Sequence, residues 1–466
     1  MRACWAFVAT LVVAQGMAAG AEAASKGTSF WRDYGDVVHD LSWNNLRGDG
    51  VVVSGQGGIG LWFNKDTTFG RNKEVFGHSS DHFQELTGLV AVDGHLGLGT
   101  AKSFGEVYGE VSVTGAWTTA TEPGGNNARS DLAWETYFGG WRSADLFPAL
   151  GPNAIDISAG KQNYQIGTGF LYWNGSTNGG ERGMAWTALR TAWEETAIAK
   201  LTTHGLTAQV AYLKPDDNPH TDSRFITTDL EYDFSKLVDI GTAGAGYSHF
   251  FHSDLDTRDG MDVWNLRATL TPLKPTGVLP GLNLLGEWAH ENNDDKLEST
   301  AWFTEVGYDF KGVLPWAPYI GYRYASFEGG ESDSGKSHNW DPLFYGMGGS
   351  GNQSWGTWFQ GEVLGEWVIS NSNLNSHNVR LVLNPRDDLQ LFLLYYNFSV
   401  DDKDAAGVTD SNFAQEVDLI GSYTFNKYLS FTGVLGWSTP GDAAKETFGG
   451  ANDDWLYSML YAQVTF

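Results

Sequence analysis

Ionisable side chains recur at alternate positions within apolar stretches of this chain: Asp229 and Glu231, Arg267, Glu305 and Asp309, Arg323, Arg380, and Glu416 and Asp418. On an extended strand, alternation puts such groups on one face and the apolar residues on the other. A charged face of this kind suits the lining of a water-filled passage. There, opposite charges orient polar solutes and set ion preference. Asp156 and Glu287 share the same parity. Patterns for other chemistry fall short. Gly55, Gly57 and Gly60 fit G-x-G-x-x-G, but Leu61-Trp62-Phe63 continues a strand and opens no helix, so no dinucleotide site is expected. His249 and His252, three apart on a strand, point to opposite faces and do not form a chelating pair. The chain has no H-E-x-x-H, no Cys/His cluster and no G-x-S-x-G elbow, and nothing singles out His290 or His338. No enzyme and no protein-held metal centre are expected.

The elements that would position the charged face are strands about ten residues long, the length that crosses a bilayer at a tilt. Trp264, Leu266, Ala268 and Leu270 oppose Asn265, Arg267 and Thr269; Val417, Leu419, Tyr423 and Phe425 oppose Glu416, Asp418, Ser422 and Thr424. Short links such as His204-Gly205 and Asn426-Lys427 alternate with long ones such as 166–183, 253–260, 328–374 and 439–453. Outer-membrane barrels show this asymmetry, with short periplasmic turns and longer outer loops. With all long loops at one end, the pattern predicts an all-β, antiparallel up-and-down transmembrane barrel of 18 strands, with sixteen as the alternative count. The predicted strands are 50–63, 85–101, 104–117, 131–142, 155–165, 184–202, 205–214, 224–234, 242–252, 261–272, 280–290, 299–310, 316–327, 375–384, 388–398, 413–425, 428–438 and 454–466. The stretch 356–368 also looks like a strand, but including it breaks the up-down alternation, so it is assigned to a long loop. Leu460, Ala462, Val464 and Phe466 form a terminal alternating row, resembling the signal that the barrel-assembly machinery reads for insertion. Trp62, Trp117, Trp141, Tyr172, Trp173, Trp288, Trp316, Tyr319, Trp437, Trp455 and Tyr457 crowd near strand ends and are expected in interfacial girdles.

Composition supports the same class. Of 466 residues 59 are glycine and 14% are aromatic, and the only cysteine is Cys4. Arg2, the apolar run 3–13 and Ala21-Glu22-Ala23 read as a signal peptide over 1–23, leaving 24–466 as a single barrel domain. That assigns a Gram-negative envelope protein, exported to the periplasm and inserted in the outer membrane. The net charge of −27 repels phosphate backbones, so nucleic acid is not an expected partner. Lipid and lipopolysaccharide are. The acidic outer loops, such as Asp254, Asp256 and Asp259, or Asp401, Asp402 and Asp404, are candidates for calcium or magnesium ions shared with lipopolysaccharide. No other cofactor is implied.

Several short stretches then suggest a family. Tyr322-Arg323-Tyr324-Ala325-Ser326-Phe327, followed by His338-Asn339-Trp340-Asp341-Pro342-Leu343-Phe344-Tyr345-Gly346, resembles the alginate-export-type family of outer-membrane porins. Glu416-Val417-Asp418-Leu419 and Thr439-Pro440-Gly441-Asp442 also look familiar, and Gly160-Lys161-Gln162 is similar to the family's Gly-Arg-Gln segment, which adds Lys161 to the candidate lining. The resemblance implies a barrel of about 18 strands. Exporters of polyuronates have strongly basic lumens, whereas residues 24–466 hold 28 basic against 55 acidic side chains. The expectation is therefore a diffusion porin for small hydrophilic solutes with a mild cation preference. A substrate-specific channel or exopolysaccharide exporter is the alternative, and a rim enzyme or adhesin on a plugged barrel the second. A homotrimer, the habit of general porins, is the expected assembly. Segments 166–183 and 328–374 are the ones long or aromatic enough to fold inward.

Overall fold

The structure is a computed structural model that describes residues 49–466, apart from 78–80, 126, 178, 188, 295, 331–334 and 347–359. The signal-peptide reading lies outside the described residues. Alternating apolar and polar residues, broken by glycine-bearing turns, build strands that pair with their sequence neighbours. In order these are β1 Gly50–Lys65, β2 Asp81–Gly97, β3 Glu106–Thr118, β4 Arg129–Arg142, β5 Ile155–Gln162, β6 Trp193–Thr203, β7 Leu206–Lys214, β8 Arg224–Asp233 and β9 Gly241–His252. They continue as β10 Asp262–Leu270, β11 Leu282–Asn293, β12 Leu297–Asp309, β13 Tyr319–Phe327, β14 Leu374–Arg386, β15 Leu389–Val400, β16 Asn412–Thr424, β17 Leu429–Pro440 and β18 Trp455–Thr465. All 18 lie in one antiparallel sheet, and β1 pairs with both β2 and β18, so the sheet closes. Closure leaves no edge, which a strand structure in hydrocarbon requires.

The terminal row completes that seam. Val464 pairs with Gly57 and with Leu429 on β17. Phe466 exchanges two 2.9 Å backbone hydrogen bonds with Gly55. A Cβ on Gly55 would come within 2.4 Å of the Phe466 ring, and one on Gly60 within 2.0 Å of Trp62. Two of the three glycines of the apparent nucleotide motif, Gly55 and Gly60, thus make room for aromatic rings on a strand.

The outer wall is apolar and exposed: Ile59, Phe63, Leu132, Leu230, Leu266, Val306, Ile320, Leu419, Leu435 and Leu460 all face outward. So large an exposed apolar face belongs to lipid. Trp288, Trp316 and Trp437 are exposed as a girdle requires, but Trp62, Tyr172, Tyr319, Trp455 and Tyr457 are buried inside. Those five depart from the girdle expectation because the interior holds an apolar core that the sequence pattern did not reveal.

The sixth strand also differs. It begins at Trp193, not near 184, because residues 184–192 leave the wall and enter the barrel. The amides of Ala185, Trp186, Thr187, Thr191 and Ala192 go to wall carboxylates and not to a neighbouring strand, as described next. Residues 360–368 of the strand-like stretch lie in the β13–β14 connection and include one short helix, Leu364–Trp367; residues 356–359 lie outside the described residues.

Candidate functional site in the barrel lumen

Two long connections, between β5 and β6 and between β13 and β14, bring described residues inward at the long-loop end. Tyr164, Phe170, Tyr172 and Trp186 of the first, and Trp340, Phe344, Val363 and Leu364 of the second, are buried in one cluster with inward wall residues. The two segments also pair with each other. Trp173 N donates to Phe344 O at 2.9 Å and Phe344 N to Leu171 O at 3.1 Å. Aromatic contacts seat them on the wall: Phe225 lies 5.0 Å from Tyr172 and 4.3 Å from Phe250, and Phe344 lies 5.1 Å from Trp193. Ring area of this kind buries a large apolar payload, and the polar edge of Trp193 is met by its Nε1 donating to Tyr164 O at 3.0 Å.

Backbone amides of the inward segments need acceptors once they leave water. Wall carboxylates supply them. Glu85 on β2 accepts from Trp186 N at 3.1 Å and Thr187 N at 2.8 Å. Glu135 on β4 accepts from Thr191 N at 2.7 Å and Ala192 N at 2.8 Å. Glu416 on β16 accepts from Val363 N at 2.9 Å and Leu364 N at 2.8 Å, and its neighbour Asp418 from Glu362 N at 3.2 Å. Gly361 makes this approach feasible: its φ is +85°, and a Cβ there would meet Glu416 Oε1 at 2.2 Å. Trp186 Nε1 reaches Glu362 Oε2 at 3.3 Å, tying one segment to the other.

The predicted lining residues fall into distinct groups. Asp229 and Arg267 are buried inside, and Arg267 donates to Asp229 at 2.6 and 2.8 Å and to Glu231 at 2.9 Å. Arg267 stands opposite Gly244 of β9, and a Cβ there would lie 2.7 Å from its Cζ. That gap lets the guanidinium cross β9 to the β8 carboxylates. Gly167 of the first inward segment rests on the same side chain, and Thr168 Oγ1 bonds Glu287 at 2.7 Å. Arg323 and Arg380 share Glu305 Oε2, at 2.7 and 2.6 Å, while Tyr319 donates to Glu305 Oε1 at 2.6 Å. Lys161, Arg182 and Arg190 converge on Asp216 of the β7–β8 connection, at 2.5, 2.9 and 2.7 Å. Burial pushes the Asp216 carboxyl up, but these three cations outweigh it and hold the group well below the usual range. Asp309 does not join any of these groups; it accepts from Lys311 N at 2.8 Å in the β12–β13 turn.

A further set had not stood out in the sequence. Glu85, Glu362 and Glu366 gather with Glu416 and Asp418 around Trp186 and Tyr457. No Lys or Arg forms an ion pair with any of the five among the described residues, and Asp418 Oδ1 has no hydrogen bond there. Burial, with Glu366 and Asp418 nearby, pushes Glu362 well above the usual carboxylate range; burial and then Glu85 push Glu366 up to about 8. Glu416 and Asp418 were expected inward by strand parity, whereas Glu85, at the start of the predicted strand 85–101, was not singled out. Glu362 and Glu366 carry no such signal, since they sit in an irregular segment. His249 and His252 pair separately, with Asp262 at 2.8 Å and Asp222 at 3.2 Å. Among the described residues, no group of three or more His, Cys, Asp or Glu side chains is arranged to hold a metal ion.

No protein-family model matches the chain, and no curated protein matches it. In fold it is similar to the Pseudomonas aeruginosa outer membrane protein OpdK, at 14% identity and a TM-score of 0.55, over 89% of this chain and 98% of that one. OpdQ of the same organism matches at 12% identity and a TM-score of 0.54, and OpdL at 10% and 0.53, each over 89% of this chain and 98% of the other. These neighbours share the barrel fold expected above, and none of them is named as an alginate exporter. With its closed sheet and exposed apolar wall, the chain is a multi-pass β-barrel of the outer membrane.

Proposed function

We propose that this barrel is a passive channel for small hydrophilic solutes, narrowed at its long-loop end by the two inward segments and preferring cations. The observation that carries the reading is the group Glu85, Glu362, Glu366, Glu416 and Asp418, which meets no basic partner among the described residues, while Arg267 is matched by Asp229 and Glu231 and Arg323 and Arg380 share Glu305. Carboxylates in a low-dielectric constriction favour cations over anions once ionised, so the preference is expected to grow as pH rises toward and past about 8, where Glu366 gives up its proton. Swelling of proteoliposomes tests it. Small amines and monosaccharides should enter and larger oligosaccharides should not, and no swelling in any solute would overturn the channel reading.

A substrate-specific channel is the second reading. It is favoured by the tight aromatic packing of the inward segments around Phe225 and Phe344. One structural neighbour, OpdK, was solved with vanillate. On this reading one solute class blocks the current at low concentration and others do not. The protein is further proposed to work as a homotrimer. Its acidic outer loops are proposed to share calcium or magnesium with lipopolysaccharide. Because the described loop carboxylates do not converge in threes, such ions would bridge protein to lipid. Chelation should then lower the melting point in lipopolysaccharide but not in detergent.

A further inference from the structure

The second inward segment is gripped from an outer loop. Arg258 belongs to the β9–β10 connection at the long-loop end, yet its side chain is buried. Its Nε donates to Asp341 Oδ2 and its Nη2 to Asp341 Oδ1, both at 2.6 Å. A planar guanidinium matches a carboxylate in this two-bond geometry, and an ammonium does not. The same guanidinium lies 4.9 Å from the ring centre of Phe344. Phe344 is also the ring that packs on Trp193 and the backbone that pairs with Leu171 and Trp173. One loop side chain therefore touches both a polar and an aromatic anchor of residues 340–344.

The loop is fixed on either side of Arg258. Asn293, at the end of β11, donates Nδ2 to Thr257 O at 2.8 Å and to Asp259 O at 3.0 Å, and Gly260 N reaches Phe250 O at 2.9 Å. The segment it grips is under load. Leu343 holds a φ of +52°, a left-handed conformation that costs a bulky residue energy. Glu291 of β11 is fully buried and accepts from Asp341 N at 3.0 Å through Oε2, while its Oε1 has no hydrogen bond among the described residues. Two carboxylates, Glu291 and Asp341, thus stand together out of water. Among the described residues no other Lys or Arg pairs with Asp341, and none pairs with Glu291. Asp217 of the β7–β8 connection also faces Arg258, and Thr221 N donates to it at 3.1 Å. Without the guanidinium, Glu291 and Asp341 would repel each other in a low-dielectric setting.

We infer that Arg258 is a positioning residue that latches the constriction: it holds residues 340–344 inward against the repulsion of Glu291, so that the β9–β10 outer loop sets the bore of the channel. The inference rests on the channel reading above.

Planar-bilayer conductance and liposome swelling in a trisaccharide read the bore. Arg258→Ala should raise conductance and admit the trisaccharide that the parent excludes. Arg258→Lys, which keeps the charge and loses the paired bonds, should fall between, and serves if the alanine variant does not fold. Arg258→Ala/Glu291→Gln removes the repulsion and should return both readouts toward the parent. Lys296→Ala, which breaks the exposed pair with Asp256 on the same loop, should change neither. A second measurement needs no current. In a Cys4→Ser background, which leaves no other cysteine, Leu343→Cys should react slowly with a water-soluble maleimide, because Leu343 is buried, and faster once Arg258 is replaced. Heat-modified gel migration shows which variants have folded. Parental conductance and slow labelling in folded Arg258 variants overturn the latch. So does a Glu291→Gln double variant as open as Arg258→Ala, since the charge balance would then have no part. If the parent passes no current while labelling follows the expected order, the channel reading fails and the latch stands.

Discussion

Arg267 shows how much of a lumen residue strand parity foretells. Alternation along 262–270 places it inward, and the structure finds it there. Its reach past Gly244 to Asp229 and Glu231 depends on register between three strands, which no single-strand pattern holds. The same holds for Arg323 and Arg380, whose common partner Glu305 becomes visible only once β12, β13 and β14 are aligned. Removing one member of such a buried group leaves charges unpaired, at a cost of about 3–5 kcal/mol. Arg267→Ala should therefore lower the unfolding free energy of the barrel by that order, seen as a lower denaturant midpoint, and an unchanged midpoint would mean the guanidinium is dispensable. Glu366 makes a pH prediction. Its pKa in the folded protein, about 8, lies above the ordinary 4.5, so the folded state holds a proton that the unfolded chain loses earlier. The contribution of Glu366 to stability is thus fully present below 4.5 and falls away as pH rises through about 8. Cation preference should strengthen over the upper part of that window as the group ionises, and Glu366→Gln should flatten the change in reversal potential with pH.

Among the elements, the strands were far more legible than the segments inside them. Period-two alternation marks every wall strand to within a few residues at most ends, since one face of each must meet lipid. Segment 184–192 was misread as wall because Met184, Trp186 and Leu189 supply an apolar pattern that a strand would also show. What separates the two is where the amides go, to Glu85 and Glu135. The five inward aromatics were misplaced for a related reason: interfacial rings and core rings have the same residue types. Gly361 tests the docking of the second segment directly. Gly361→Ala combines an unfavourable φ with a Cβ 2.2 Å from Glu416 Oε1, so it should release 360–364 from the wall and raise single-channel conductance. A variant with parental conductance and stability would show that this contact does not hold the segment.

For the molecule as a whole, closure and charge set the behaviour. The described strands leave no edge, and Phe466 completes the seam against Gly55. Net charge alone, at −27, pointed away from polyanions, but it could not say where the unbalanced carboxylates would gather. The structure puts five of them where the two inward segments meet the wall, and matches the deeper arginines with acids. The central claim is a constricted, cation-preferring channel, and its most direct measurement is the reversal potential of purified protein in a planar bilayer under a potassium chloride gradient. The account predicts small, discrete current steps that reverse on the cation side above pH 8, where Glu366 is ionised, with Glu366→Gln moving the potential toward zero there. Anion-side reversal, or a folded barrel that passes no current, would contradict it.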